Sequence, residues 1–551
     1  MTLSPSITRH TASSFCIFIY ELVVTKSMPT LNWIGKEQVV NHDKEVPFRL
    51  LKKVKSASVG ENSQNLIIHG DNLEALKALM PFYHNKVKCI YIDPPYNTGN
   101  EGWIYNDKVN SLKIKKWLGK VVGGESEDLC RHDKWLCMMY PRLKLLRELL
   151  SENGIIFISI DDNEQGNLRA IAEEIFGEKN FISQIVWKRR SGGTNDNKYI
   201  APDHEYILVF SKNKDLAEFN SHEYNPENLK LYAFKDKYFE NRGPYRRMLL
   251  NQTSLRYSES LTYPIDAPDG TKINPPKDGK STWRWGKEKV QWGIEKDFIE
   301  FVKTKVGWRV YTKQYLYVDS DGNNLERGSR PRSYYSEVDG REGVKELQKL
   351  LNNKAFDYPK PVQLIKYLIK MATNKNDLIL DSFAGTGTTA HAVLDSNLDD
   401  DGKRKFILVE IDENIAKNIT PLRVKKAIES YGYNGSFEFC ELSKPLFNSE
   451  GQIEDECTFE QLAQYIYFTE TQNNLEKKAI KGNFVGDNNT AEYYLLFKEK
   501  NKNVLNKVFL GTLNKNDKRK IVYADKCLLD EDTLLKHNIQ FKQIPYEVKV
   551  Y

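Results

Sequence analysis

Five short apolar runs, each closing on an acidic residue, set the strongest limit on how this chain can fold. They are Asn65-Leu-Ile-Ile-His-Gly-Asp71, Val87-Lys-Cys-Ile-Tyr-Ile-Asp93, Gly154-Ile-Ile-Phe-Ile-Ser-Ile-Asp161, Asp377-Leu-Ile-Leu-Asp381 and Lys405-Phe-Ile-Leu-Val-Glu410. Runs this short and this apolar read as strands buried on both faces of a parallel sheet. Helix-like patterns fall between or after them, at Asn72–Met80, Pro141–Leu150, Asn167–Phe176, Pro361–Met371 and Thr388–Leu394. Such alternation predicts an open α/β sheet, whose ligands bind beyond the carboxyl ends of the strands. The acidic residues sit at that edge.

The runs form two groups, 65–161 and 377–412, and a chain of 551 residues exceeds what one core usually organises. Between the groups, residues 183–340 hold 27 lysines and arginines against 22 acids, nearly all of the chain's net +6, together with many aromatics and turn signals. This stretch reads as a domain inserted into the sheet in sequence but not in space. The expected organisation is a weakly structured extension at 1–27 with a natural start at Met28, a first sheet half at 28–182, an insert at 183–350, a second half at 351–444 and an accessory domain at 445–551. Within the last segment, Glu492–Phe497 and Asn506–Leu510 read as short strands.

Ordinary hydrophobic and charged fractions, 40% and 28%, exclude a disordered or fibrous chain. The seven cysteines show no C-x-x-C and no zinc-finger pairing with histidine, which predicts a reduced, cytosolic protein with no metal site. The apolar stretch Phe15–Val24 is interrupted by Glu21 and is too short to span a membrane.

Two motifs carry chemistry. Asp93-Pro94-Pro95-Tyr96 directly follows a strand, and consecutive prolines fix a rigid, extended turn. The turn presents a carboxylate, a proline carbonyl and an aromatic face. That set suits an exocyclic amino group: two acceptors take its hydrogens while Tyr96 stacks on the ring. A strand-ending turn without chemistry also fits these residues read alone. The second motif, Asp381-Ser-Phe383-Ala384-Gly385-Thr386-Gly387-Thr388-Thr-Ala390, runs from a strand through glycines into a helix. Glu410 ends the next strand, placed to accept from ribose hydroxyls, so an adenosine-containing cofactor is expected, of a kind the motif leaves open. Methyl transfer to an amine needs both motifs; hydride transfer has no use for the first.

The sequence resembles the amino-methylating DNA methyltransferases that use S-adenosylmethionine, and among them the adenine-specific modification subunits of Type III restriction-modification systems. The resemblance covers residues 28–440 and rests on Leu31-Asn-Trp-Ile-Gly-Lys-Glu37, His69-Gly-Asp71-Asn72, Asp93-Pro-Pro-Tyr-Asn-Thr-Gly99, Trp283-Arg-Trp285, Pro359-Lys-Pro361 and Asp381-Ser-Phe-Ala-Gly-Thr-Gly-Thr-Thr389. It implies a Rossmann-like methyltransferase sheet of permuted motif order, the catalytic motif preceding the cofactor motif.

It also implies roles. Asp93, Pro94, Pro95 and Tyr96 correspond to the catalytic turn, and Asp381, Phe383, Ala384, Gly385, Thr386, Gly387 and Thr388 to the cofactor loop. Glu410 would hold the ribose and Asp71 would lie near the cofactor's adenine. Lys360 and Pro361 would open the helix beside the methionine end. The implied partners are double-stranded DNA, with the target base flipped, a second copy of the chain, and a helicase-nuclease restriction subunit, with the insert recognising the target. N4-cytosine or an RNA base as acceptor, or a chain serving mainly in DNA recognition and assembly, are the alternatives.

Overall fold

The computed structural model describes residues 30–99 and 129–544, apart from short stretches at 191, 193–197, 224–228, 254–256, 277, 279, 326–327, 353–355, 449 and 498–501. The expected extension at 1–27 lies outside the described residues.

Ten strands form one mixed sheet. In chain order they are β1 Arg49–Lys53, β2 Leu66–His69, β3 Val87–Ile92, β4 Leu150–Ile160, β5 Phe181–Lys188, β6 His204–Ser211, β7 Tyr334–Tyr335, β8 Leu378–Asp381, β9 Lys405–Glu410 and β10 Glu438–Pro445. Their spatial order is β1-β10-β2-β9-β8-β3-β4-β6-β5-β7. The six from β10 to β4 run parallel to one another. The five apolar runs of the sequence are all of these six but β10. Every residue of β3 is buried, as expected of a strand covered on both faces.

Eight helices matter here: α1 Asn72–Tyr83, α2 Leu129–Leu149, α3 Gln165–Phe176, α4 Gly340–Leu351, α5 Val362–Ala372, α6 Thr388–Asp400, α7 Thr420–Tyr431 and α8 Phe459–Thr471. Helices α1, α2 and α3 pack in succession, as do α5, α6 and α7. The core joins Ile90 and Ile92 of β3 to Trp135, Leu143 and Leu146 of α2. The Leu31–Glu37 motif packs on this layer: Trp33 Nε1 meets Cys137 Sγ at 3.3 Å and Lys36 Nζ pairs with Glu174 at 2.7 Å.

The separate compact unit covers 219–331, narrower than the 183–350 expected for the insert. Strands β5 and β6 extend the sheet by antiparallel pairing on β4, and β7 adds to β5, so both flanks of the expected insert lie in the sheet. The unit contains a three-stranded antiparallel sheet of Tyr245–Leu249, Ile299–Thr304 and Gly307–Tyr315. It carries 20 lysines and arginines against 15 acids. In the C-terminal segment a four-stranded sheet packs with α8, and Ala491–Leu495 is one of its strands. The run Asn506–Leu510 is instead a helical turn, Lys507–Leu510, capped by the Asn506 side chain. No helix among the described residues is long and apolar enough to cross a membrane.

Candidate active site

Strands β3 and β8 are parallel neighbours, Cys89 pairing with Ile379 and Ile90 with Leu380. Their carboxyl ends therefore bring the Asp93 turn beside the glycine loop. Both line one cavity of about 230 Å³ with Asp381, Phe383, Gly385 and Glu410. Of the expected residues, Asp93, Pro95, Lys360, Ala384, Thr386 and Thr388 also line it. Pro94, Tyr96, Pro361 and Gly387 are not among its lining residues: Pro94 and Tyr96 belong to the turn beside it, while Pro361 and Gly387 are the N-caps of α5 and α6.

Two donors fix the proline turn from behind. Trp135 Nε1 donates to the Pro95 carbonyl at 2.7 Å. Asn97, buried with a left-handed φ of 59°, donates to Glu164. Glu164 is itself fully buried and also meets His132 Nδ1 at 2.6 Å and Asn167 Nδ2 at 2.8 Å. The turn is thus rigid before any substrate arrives, which is what positioning catalysis requires.

An ionic cluster surrounds the turn. Lys360 Nζ reaches both Asp93 carboxylate oxygens, at 2.8 and 2.6 Å, and lies 3.6 Å from Glu205 Oε2. Glu205, on β6 and 3% exposed, accepts from the Tyr96 hydroxyl at 3.0 Å and pairs with Arg189 at 2.9 Å. Burial works to lower the Lys360 pKa, yet the carboxylates of Asp93 and Glu205 hold it above the ordinary lysine value. Burial and the same two carboxylates raise the Tyr96 phenol well above its usual range, so it stays a neutral donor. The sequence reading overlooked Glu205; a lone acid opening the otherwise apolar strand His204–Ser211 was the available signal.

Gly343 of α4 explains how Lys360 comes so close. A Cβ there would lie 2.2 Å from the Pro359 carbonyl oxygen and 2.9 Å from Lys360 C, backbone atoms with nowhere to go. Gly343→Ala is expected to cost about 1–3 kcal/mol of stability and to slow methyl transfer by displacing Lys360. Denaturant titration with an activity assay checks both.

On the other wall, Glu410 accepts from the backbone N–H of Gly385 at 2.7 Å and of Ile411 and Asp412 at 2.9 Å. Burial nonetheless leaves its pKa raised. Burial also lifts Asp381 to about 7, against hydrogen bonds from Thr389 and the Phe383 N–H. Gly385 has φ +49°, with open space where a Cβ would be. Asp93, Asp381, Glu410 and Asp412 give the cavity four carboxylates against one ammonium, while Phe383, Ile411 and Ile415 add apolar walls. This donor set fits a cationic cofactor with an apolar ring and ribose hydroxyls: Glu410 would hold the ribose, and Phe383 and Ile411 would flank the ring.

Asp71 does not join this group. Its carboxylate caps α1 through the Leu73 N–H at 2.8 Å and pairs with buried Arg142 at 3.1 Å. His204, which opens β6, is occupied too: it meets the Tyr206 hydroxyl at 2.9 Å.

The Asp93 proline turn and the glycine loop thus stand at adjacent strand ends of a parallel sheet and face one cavity. The DNA methylase family profile matches residues 87–421. The Type III restriction-modification enzyme EcoPI Mod subunit of Escherichia phage P1 is 34% identical over 76% of this chain and 68% of that protein. The EcoP15I Mod subunit of Escherichia coli is 32% identical over 76% of this chain and 69% of that protein. For the StyLTI Mod subunit of Salmonella typhimurium the identity is 36%, over 68% of this chain and only 55% of the relative's length. The chain belongs to the DNA methylase family and, within it, to the Type III modification subunits: it is a DNA methyltransferase that uses S-adenosylmethionine.

Proposed function

We propose that Asp93, Pro94 and Tyr96 hold the target adenine, flipped out of double-stranded DNA, while the cavity beneath Glu410 holds the cofactor. The observation that carries this reading is the parallel pairing of β3 with β8, which sets the two motifs on one cavity. S-adenosylmethionine supplies a methyl group on a sulfonium. An Asp93 oxygen and the Pro94 carbonyl accept the two hydrogens of the adenine amino group, drawing charge toward its nitrogen and opposing the positive charge that develops there. A carboxylate has about four lone-pair sites, so Asp93 accepts the amine while still paired with Lys360. Lys360 aims the carboxylate, and Glu205 aims both Lys360 and the Tyr96 ring on which the base stacks. A paired base cannot enter a strand-end cavity, hence the flipping.

The insert at 219–331 is the part we assign to target recognition. We further propose that the chain acts in the cytoplasm as a homodimer with a helicase-nuclease restriction subunit. The test is transfer of labelled methyl groups into DNA with identification of the modified nucleoside. N6-methyladenine is the expected product; N4-methylcytosine, or no transfer to any genomic DNA, would overturn the reading. Co-purification with an ATPase subunit tests the partnership.

Asp381 gives a pH dependence. Its folded pKa, about 7, stands above its ordinary value of 3.8. The stability tied to its protonated form is therefore complete below 3.8 and is lost as pH rises through about 7. A cationic cofactor favours the ionised form, so binding is expected to tighten from about pH 6 to 8 and to release a proton. Calorimetry at pH 7 in buffers of different ionisation heat checks this. Equal heats, or a pH profile unchanged in Asp381→Asn, would refute it.

A further inference from the structure

We propose that Arg246 of the insert reads a guanine in the DNA target, held in reading position by Gln314. This rests on the reading of the insert as the target-recognition domain.

In the three-stranded sheet of that unit, Arg246 lies opposite Gln314 and Met248 opposite Thr312. Alternation puts these four side chains on one face. They line a cavity of about 350 Å³, closed by Arg284, Trp285 and the turn at Asp319–Ser320.

The charges of this cavity are not balanced within the unit. Lys313 is neutralised by Asp236 at 2.8 Å and Asp297 at 2.9 Å. Arg247, on the opposite face, is paired with Glu300. Asp319, the cavity's acid, accepts from the Asp321 and Asn323 N–H groups of its own turn, at 2.8 and 2.9 Å. Arg246 and Arg284 have no carboxylate partner among the described residues.

Arg246 is nevertheless oriented. Its Nε donates to Gln314 Oε1 at 2.5 Å, and its guanidinium lies 5.6 Å from the Tyr232 ring centroid. Among the described residues the two Nη groups make no hydrogen bond, and the Gln314 amide nitrogen is a neighbouring donor. A fixed guanidinium edge matches the O6 and N7 acceptors of guanine in the major groove, a pattern no other base presents. Exposed Arg284, which has no side-chain hydrogen bond among the described residues, suits a phosphate, a contact that positions without specifying.

The test uses the full-length chain, S-adenosylmethionine and genomic DNA free of adenine methylation, with methylated positions mapped by sequencing. The wild type should methylate one motif containing guanine. Arg246→Lys keeps the charge and loses the fork: one guanine position should become degenerate and the rate on the original motif should fall about 10–100-fold, with overall DNA affinity kept. Arg246→Ala should relax the same position, whereas Arg284→Ala should weaken binding to all sequences alike and leave the motif intact. An unchanged motif in both Arg246 variants, or a wild-type motif without guanine, overturns the inference and leaves the methyltransferase reading standing. A wild type that methylates no DNA overturns that reading instead.

Discussion

Asp93→Ala is expected to lower the rate of methyl transfer by at least about 100-fold, the usual consequence of removing one preorganised group from a site of developing charge. The variant should still fold. Lys360 keeps Glu205 as a counter-ion 3.6 Å away, and the turn keeps its bond from Trp135 to Pro95. Cofactor affinity should change little, because Glu410 and the glycine loop are untouched. Asp93→Asn should fall nearly as far: the amide retains one acceptor but presents donors to an amino group that needs none. Single-turnover transfer from labelled cofactor, with a separate cofactor titration, measures both quantities. A rate within about tenfold of wild type would remove Asp93 from the chemistry.

The second large effect is on stability. Asp71 and Arg142 form a pair whose side chains are 7% and 3% exposed. Asp71→Ala leaves that guanidinium buried without its carboxylate and removes the cap of α1, an expected loss of about 3–5 kcal/mol. Arg142 keeps neutral partners such as the Met138 carbonyl at 2.7 Å. Folded Asp71→Ala should bind cofactor within a few-fold of wild type, since its carboxylate faces Arg142 and not the cavity. Denaturant unfolding and calorimetry separate the two effects. A variant of unchanged stability that fails to bind cofactor would return Asp71 to the cofactor site.

These two aspartates show what was legible in the sequence. Asp93 and Asp71 both close an apolar run at the same edge of the sheet, and periodicity places both there. It does not say what each carboxylate meets. Asp71 meets an arginine on α2, a contact made by tertiary packing. Asp93 meets Lys360, and only the spacing of its own turn pointed to chemistry. The inner strands were legible because runs such as Phe406–Val409 are apolar throughout and fully buried. The outer pair β1 and β10 was not, since β1 mixes Arg49, Lys52 and Lys53, and β10 mixes Glu438, Glu441 and Lys444, with apolar residues. Strands β5 and β6 were read into the insert because the basic composition of 183–340 begins there. Glu205 followed from that error: its role depends on antiparallel pairing with β4, which brings it to the turn.

The order of strands also bears on how the protein is made. In the sheet β2 and β3 are separated by β9 and β8, yet both are synthesised before either of those strands. Until the chain has grown past Asp381, β3 has an open edge, and until it has passed Glu410 the cavity beside the Asp93 turn lacks a wall. A ribosome adding about 5–20 residues per second leaves that edge unpaired for many seconds, a period in which a nascent chain is exposed to wrong strand pairing and to chaperones. The same delay makes the enzyme inert until it is nearly whole. A chain cut short within the insert carries an intact catalytic motif and no means of methylating DNA.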